Sequence, residues 1–550
     1  MRLRYVAGWM LATCLLVWMQ WRTQAHQSDF DATGGDEATH FVTGVMVRDY
    51  LVDGLGTSPL HFAERFYVSY PRVAFAIWPP LFHLLSGVWF VAALPSRWNA
   101  LLLMASLMGA IALLLYWEAS RHFSRNWAVA AAAVFLFLPL TLETTSFFGA
   151  DPAVSLLMFA AALAWTRYLV HGETRMAVVF GGLAALALLT KYNALALALL
   201  PPISIVLSGK WTLIRRPATW LAAGIVVLVA GPWYLFAWRL VTYAAEGVTP
   251  DRPAALRANL EALAATLGAA ILVTAACSVS RALAHFSGFR PAQEKSRHIW
   301  HVSLFSFIAS VVVFHSLVYP YAQERYLLSS LPAALLLSVS GMVWILNTPR
   351  GGRWPAVLAG LAVLLFLGGR VPRESESGIF REVGAYLNGL PSAAGRRLLI
   401  SAPAAGEGAL VAEVAVREAR PSSILLRGSK MLARSTWTGE HYRLVCQTKS
   451  DLLPLLDELR VEYVLVDSFG DRPHDRLVQR TMQAATGEWD LVKSFQRQQT
   501  ASRRERHCRL YRRARPFARP ARDLEIDLFY TLGRSLKGPA AIPVSAPSNQ

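Results

Sequence analysis

Charge is scarce in this chain. Asp, Glu, Lys and Arg together make 16% of its 550 residues, against roughly 25% in a typical soluble domain. With 54% hydrophobic residues, that shortage excludes a disordered or collagen-like chain and argues against a string of soluble domains. Cysteine is scarce too, and four in the whole chain build no disulfide framework. Cys14 and Cys277 lie in apolar segments, whereas Cys446 and Cys508 either pair outside the cytoplasm or stand as two free thiols. Zinc-ligand spacing, a Walker phosphate loop and a Gly-x-Ser-x-Gly elbow are all missing.

What the chain has is long apolar runs. They recur from residue 5 to residue 370, and the mean hydropathy is +0.35, so most of the chain reads as a polytopic membrane protein. The net charge of +18 would suggest nucleic acid on a soluble protein. Here cytoplasmic loops and anionic lipid headgroups account for it, and no nucleic-acid partner is expected. The first run, to Trp21, follows two arginines and reads as a signal-anchor, since no small-residue cleavage site follows. Further apolar segments run near 98–117, 127–141, 152–170, 176–190, 194–208, 218–238, 262–280, 300–318, 327–346 and 354–370. Residues 79–94 are apolar but short, about 24 Å as a helix, and begin at Pro79-Pro80. If that segment lies in the interface, the basic connections (Arg121/Arg125, Arg167/Arg175, Lys210 to Arg216, Arg281 to Arg297, Arg350/Arg353) all fall in the cytoplasm. Eleven spans result, with residues 22–97 as a long outer loop and the connections at 142–151, 191–193, 239–261 and 319–326 also outside.

Past residue 371 the pattern changes. Short apolar runs that read as buried strands alternate with amphipathic stretches, which predicts an extracytoplasmic α/β domain over 372–515. No phosphate loop lies in it. The tail over 516–550, rich in Pro, Ala and Ser, reads as loosely ordered. Nine arginines between Arg503 and Arg522 read as a solvated or lipid-facing basic surface. The fold class expected is therefore a mainly α transmembrane bundle over 1–371, followed by a small α/β domain and a tail.

Charge inside so apolar a chain marks function or its support. Asp36 and Glu37 follow two glycines where a helix starts; a favourable place on the helix dipole explains them without any function. Glu143 and Asp151 sit in another outer connection, Asp151 in Gly-Ala-Asp-Pro, which also suits a helix cap. Lys191 and Glu324-Arg325-Tyr326 sit in two more. Acids and bases thus gather at one face of the membrane.

In this arrangement the chain resembles the GT-C membrane glycosyltransferases, in particular protein mannosyltransferases and lipid A aminoarabinose transferases of the family 39 type. The resemblance covers about 1–345. It rests on Asp36-Glu37 in the first outer loop, Trp78-Pro79-Pro80-Leu81, Asp151-Pro152, Leu189-Thr190-Lys191, and Arg325 to Leu328 with Leu331-Pro332. It implies transfer of a sugar from a polyprenyl phosphate to a glycan, lipid or protein acceptor at the outer face, usually with inversion. Asp36 would be the general base. Glu37, Asp151, Lys191, Arg325 and Tyr326 would bind substrate, Lys191 and Arg325 at the donor phosphate. A divalent Mg or Mn would use Asp151 with Glu143. Many relatives carry His or Glu-Lys before Pro-Pro-Leu; Ile77 and Trp78 stand here, which puts metal dependence in doubt. His83 reads as an interfacial residue and Trp78 as a membrane anchor. The resemblance also implies a bacterial inner membrane. The rival readings are a noncatalytic polyprenyl-lipid transporter and an envelope assembly factor.

Overall fold

The computed structural model describes residues 2–30, 35–75, 77–244, 251–284, 292–320, 323–346, 378–390, 395–435, 442–498, 505–528 and 534–538. The apolar runs become helices. α1 (Arg2–Arg22) is followed by three helices of the first long loop: α2 (Asp36–Asp49), α3 (Pro59–Ser69) and α4 (Leu81–Ala93). The bundle continues with α5 (Arg97–His122), α6 (Arg125–Phe137), α7 (Pro139–Thr145), α8 (Asp151–His171) and α9 (Thr174–Thr190). Then come α10 (Leu200–Ser208), α11 (Pro217–Ala244), α12 (Arg252–Ala284), α13 (Ala292–Val313) and α14 (Leu331–Ile345).

Six described helices are long and apolar enough to cross a membrane, and α6 with α7, bent by 59° at Leu138, would make a seventh. α1 is not among the six, and α9 and Tyr192–Ser208 are shorter apolar helices. The eleven spans expected are therefore not reproduced as a count, and the one expected at 354–370 lies outside the described residues. α4 is short, with one apolar face exposed and the other buried. Leu84, Leu85, Val88 and Val91 are exposed while Phe82, His83, Ser86 and Phe90 are buried, a one-sided apolar helix. Its buried face rests on α2. Gly87 allows the close crossing, since a Cβ there would stand 2.4 Å from the Val47 side chain.

The α/β region is a five-stranded sheet in the order β2-β1-β3-β5-β4. β1 (Arg397–Ser401) pairs in parallel with both β2 (Ile424–Arg427) and β3 (Tyr463–Asp467). β5 (Glu505–Arg513) then pairs antiparallel with β3 and with β4 (Trp489–Gln498). α15 (Ile379–Asn388), α16 (Ala404–Arg417), α17 (Lys449–Glu458) and α18 (Pro473–Ala484) accompany it. β1 and β3 are buried along their whole length, which fits the apolar runs Leu398 to Ile400 and Tyr463 to Val466 within them. Cys446 and Cys508 are both free and buried.

The stretch expected to be loose holds one ordered element. β6 (Leu524–Leu528) and β7 (Arg534–Gly538) form an antiparallel ribbon, and alternate residues of β6 are buried. That half-buried alternation is a strand signal which the Pro and Ala content around it hides. The arginine-rich stretch before it is also less solvated than expected. Arg506 is buried on Asp467 at 2.7 Å, and Arg513 reaches Asp457 at 2.6 Å.

The α/β region grips the first long loop. The backbone N–H groups of Phe380 and Arg381 donate to buried Asp29 at 3.3 and 2.9 Å, and Arg427 at the end of β2 donates to the Pro71 carbonyl. α16 packs along α2, where a Cβ on Gly408 would meet that of Ala38 at 3.3 Å.

Candidate active site

Asp36 opens α2 because Gly35 lets the chain turn there. Gly35 holds φ at +94°, a region that costs a side chain roughly 1–2 kcal/mol. A Cβ on it would also lie 2.2 Å from an Arg72 nitrogen. That same Arg72 donates to the Gly35 carbonyl at 2.8 Å. Asp151 opens α8, with Pro152 supplying the fixed φ of a first helical turn. Lys191 stands at the break after α9, its backbone extended at φ −158°. Arg325 and Tyr326 lie in a 3-10 turn, Glu324–Ser330, that leads into α14.

These four elements meet. Arg325 donates to Asp36 at 2.9 Å and its other nitrogen lies 3.9 Å from Asp151. Lys191 donates to Asp151 at 2.6 Å, both nearly inaccessible to solvent. The Tyr326 ring lies under both cations, with the Lys191 nitrogen 4.9 Å and the Arg325 guanidinium 5.6 Å from its centroid. Two carboxylates and two cations thus alternate as Asp36, Arg325, Asp151, Lys191. The Asp36 side chain is the most open of the four, at 21% exposure.

Glu37, expected in the substrate set, is turned away from this row. It is fully buried and accepts from Arg97 and from the Phe148 N–H, both at 2.9 Å. Burial beside Arg97 makes it a brace between α2, α5 and the 146–148 connection. Glu143 is exposed on α7. Among the described residues no three His, Cys, Asp or Glu stand together as metal ligands. With Asp151 already facing two cations, the donor set does not fit a divalent ion held by Asp151 and Glu143.

Histidines matter more here than the sequence reading allowed. His83 is buried, not interfacial, and its Nε2 lies 3.0 Å from Nδ1 of His40. Trp78 packs on the His40 ring at 4.3 Å. Burial, then the neighbouring His83, Lys191 and Arg325, holds His40 well below the usual histidine range, so its ring is neutral at pH 7. The sequence did carry a signal for His40, because it lies four residues after Asp36 and so on the same helix face. His315 had no such signal. It stacks on Tyr326 at 4.7 Å, far away in sequence from the first loop.

Several comparisons bear on this site. Residues 79–236 match the family model described as dolichyl-phosphate-mannose-protein mannosyltransferase. The match takes in Asp151 and Lys191 but neither Asp36 nor Arg325. No curated protein sequence matches the chain. Among solved structures, ArnT from Cupriavidus metallidurans in the apo state superposes with a TM-score of 0.53 at 13% identity, covering 92% of this chain and 98% of that one. The same protein bound to undecaprenyl phosphate gives 0.54 at 13% identity and the same coverage. The chain is a multi-pass membrane protein with the fold of ArnT, and its residues 79–236 match the mannosyltransferase family model.

Proposed function

We propose that the chain is an integral membrane glycosyltransferase. It moves a sugar from a polyprenyl phosphate to an acceptor at the outer face of the membrane. The observation that carries this reading is the alternating row Asp36, Arg325, Asp151, Lys191, built from four separate elements. A hydroxyl or amine of the acceptor attacks the anomeric carbon. The carbon–oxygen bond to the phosphate breaks, and the acceptor's proton passes to the Asp36 carboxylate. The departing phosphate gains one negative charge, and Arg325 and Lys191 stabilise it as it develops. Attack from the face opposite the phosphate inverts the anomeric centre. Asp151 holds the two cations apart and in place. The fold match to a protein bound to undecaprenyl phosphate supports a carrier of that class.

The test is turnover of a panel of undecaprenyl- and dolichyl-phosphate sugars, with a membrane-lipid and glycan extract as acceptor. Wild type and Asp36→Asn run side by side, each with and without EDTA. Transfer from one donor that vanishes in Asp36→Asn is expected. Transfer that survives in the variant removes Asp36 as the base, and folded protein that transfers from no donor favours the transporter reading.

A further inference from the structure

The far end of the bundle carries a second polar site. From Arg97 to His122, α5 advances roughly 38 Å, so His122 stands at the end opposite Asp36. A cavity of about 310 Å³ opens there between α5, α12, α13 and α14. Small-molecule sites begin at about this size. Its lining includes Ser278, Arg281, Glu294, Arg297, Trp300 and Trp344.

Two features say what it takes. The first is charge. His122 is committed to the buried Glu118 carboxylate at 3.2 Å, as is Trp300 at 3.0 Å. Arg281 and Arg297 have no carboxylate partner among the described residues, and the buried hydroxyl of Ser278 has no hydrogen bond. Two unpaired guanidiniums on one cavity call for a phosphate, whose oxygens match their paired N–H groups. The second is depth. Arg281 lies over the ring of Trp344, which is 49% exposed. Arg121 and Arg167 lie over Trp117 nearby in the same way. Tryptophan paired with arginine at the end of apolar helices marks the headgroup level of a bilayer. A phosphate at that depth next to apolar Val343 is most readily that of a lipid. Glu294 at the same cavity suits a headgroup that also offers a hydroxyl or amine.

We infer that this cavity binds the phosphate of a phospholipid headgroup, at a site separate from the Asp36 row. The inference stands whether or not the chain transfers sugar. The test is native mass spectrometry of the full chain released from detergent with phosphatidylglycerol, and in parallel with inorganic phosphate. Wild type should keep one phosphatidylglycerol through detergent washing, and Arg281→Gln/Arg297→Gln should lose it at least tenfold. Ser278→Leu fills the cavity while leaving every charge in place, and removes a hydroxyl that has no partner, so folding is kept. It should lose the lipid as well. Equal retention by wild type and both variants overturns the inference. Retention of inorganic phosphate with no preference for the lipid overturns the lipid assignment.

Discussion

Removing Glu37 should unsettle the site without touching substrate. Its carboxylate is fully buried, and Arg97 opposite is 7% exposed. Glu37→Leu leaves that guanidinium in the protein interior without its counter-charge. Breaking one side of a buried pair costs roughly 3–5 kcal/mol, and the Phe148 N–H loses its acceptor too. Arg97→Met added to Glu37→Leu removes the stranded charge. It also gives up the bond to the Ala25 carbonyl at 2.7 Å and the stacking on Phe30 at 4.9 Å. Such contacts contribute about 0.5–1.5 kcal/mol each. The double variant should therefore be no worse than Glu37→Leu alone, with a coupling energy on the order of 2 kcal/mol or more. The assay is unfolding in mixed micelles titrated with denaturing detergent, for all four corners of the cycle. Additive effects would refute the pairing argument. So would a Glu37→Leu protein within about 1 kcal/mol of wild type.

Gly35→Ala should lower kcat by at least tenfold while the protein stays folded. The strain of φ +94° and the 2.2 Å approach to Arg72 both displace the turn that aims Asp36; steady-state kinetics check this, and an unchanged kcat would show that the turn is not needed. Asp475 in the α/β region gives a pH signature. Burial pushes its carboxyl up to about 7, with Ser401 donating to one oxygen at 2.8 Å and the other without a partner. Its folded pKa lies above the unfolded value, so the folded state binds the extra proton. Stability from this group is present below about pH 4 and lost as pH rises towards 7, up to about 4 kcal/mol. Asp475→Asn should gain on wild type across that window in unfolding titrations at pH 4 to 8; a constant difference would remove the explanation.

The helical bundle was legible because apolar runs and loop charge obey local rules. Its span count was not, because α9 and the helices over Tyr192–Ser208 are too short to be judged by length alone. The four residues that the structure brings together, Asp36, Asp151, Lys191 and Arg325, were legible as candidates because charge in an apolar chain is conspicuous. Sequence could not separate Asp36 from Glu37. Both sit in the first turn, and only the packing of α5 and the 146–148 connection shows that Glu37 faces inward. His83 was misjudged because a histidine on an apolar helix reads the same whether its face meets lipid or another helix. The ribbon of β6 and β7 escaped because the buried alternation of β6 is five residues long and follows a stretch of prolines and arginines.

Asp36, the proposed base, and Arg325, the proposed cation for the phosphate, touch each other. Asp36 and Arg325 form a 2.9 Å pair, yet the proposed chemistry needs Arg325 on the donor and Asp36 on the acceptor. An incoming phosphate must therefore compete with Asp36 for the guanidinium, and its arrival frees the carboxylate to take a proton. This makes donor binding the step that arms the base. A carboxylate removed from Arg325 removes the competitor. Asp36→Asn, expected to be inactive in transfer, should bind undecaprenyl phosphate more tightly than wild type. A charged hydrogen bond is worth about 1.5–3 kcal/mol, and losing even the lower figure to competition corresponds to roughly a tenfold change in Kd. Lys191→Met should move the other way, since it deletes a cation and leaves Asp151 to Arg325 alone. Isothermal titration or fluorescence competition in nanodiscs measures both. Equal or weaker binding by Asp36→Asn would show that Asp36 does not compete with the phosphate for Arg325, and that donor binding does not arm the base.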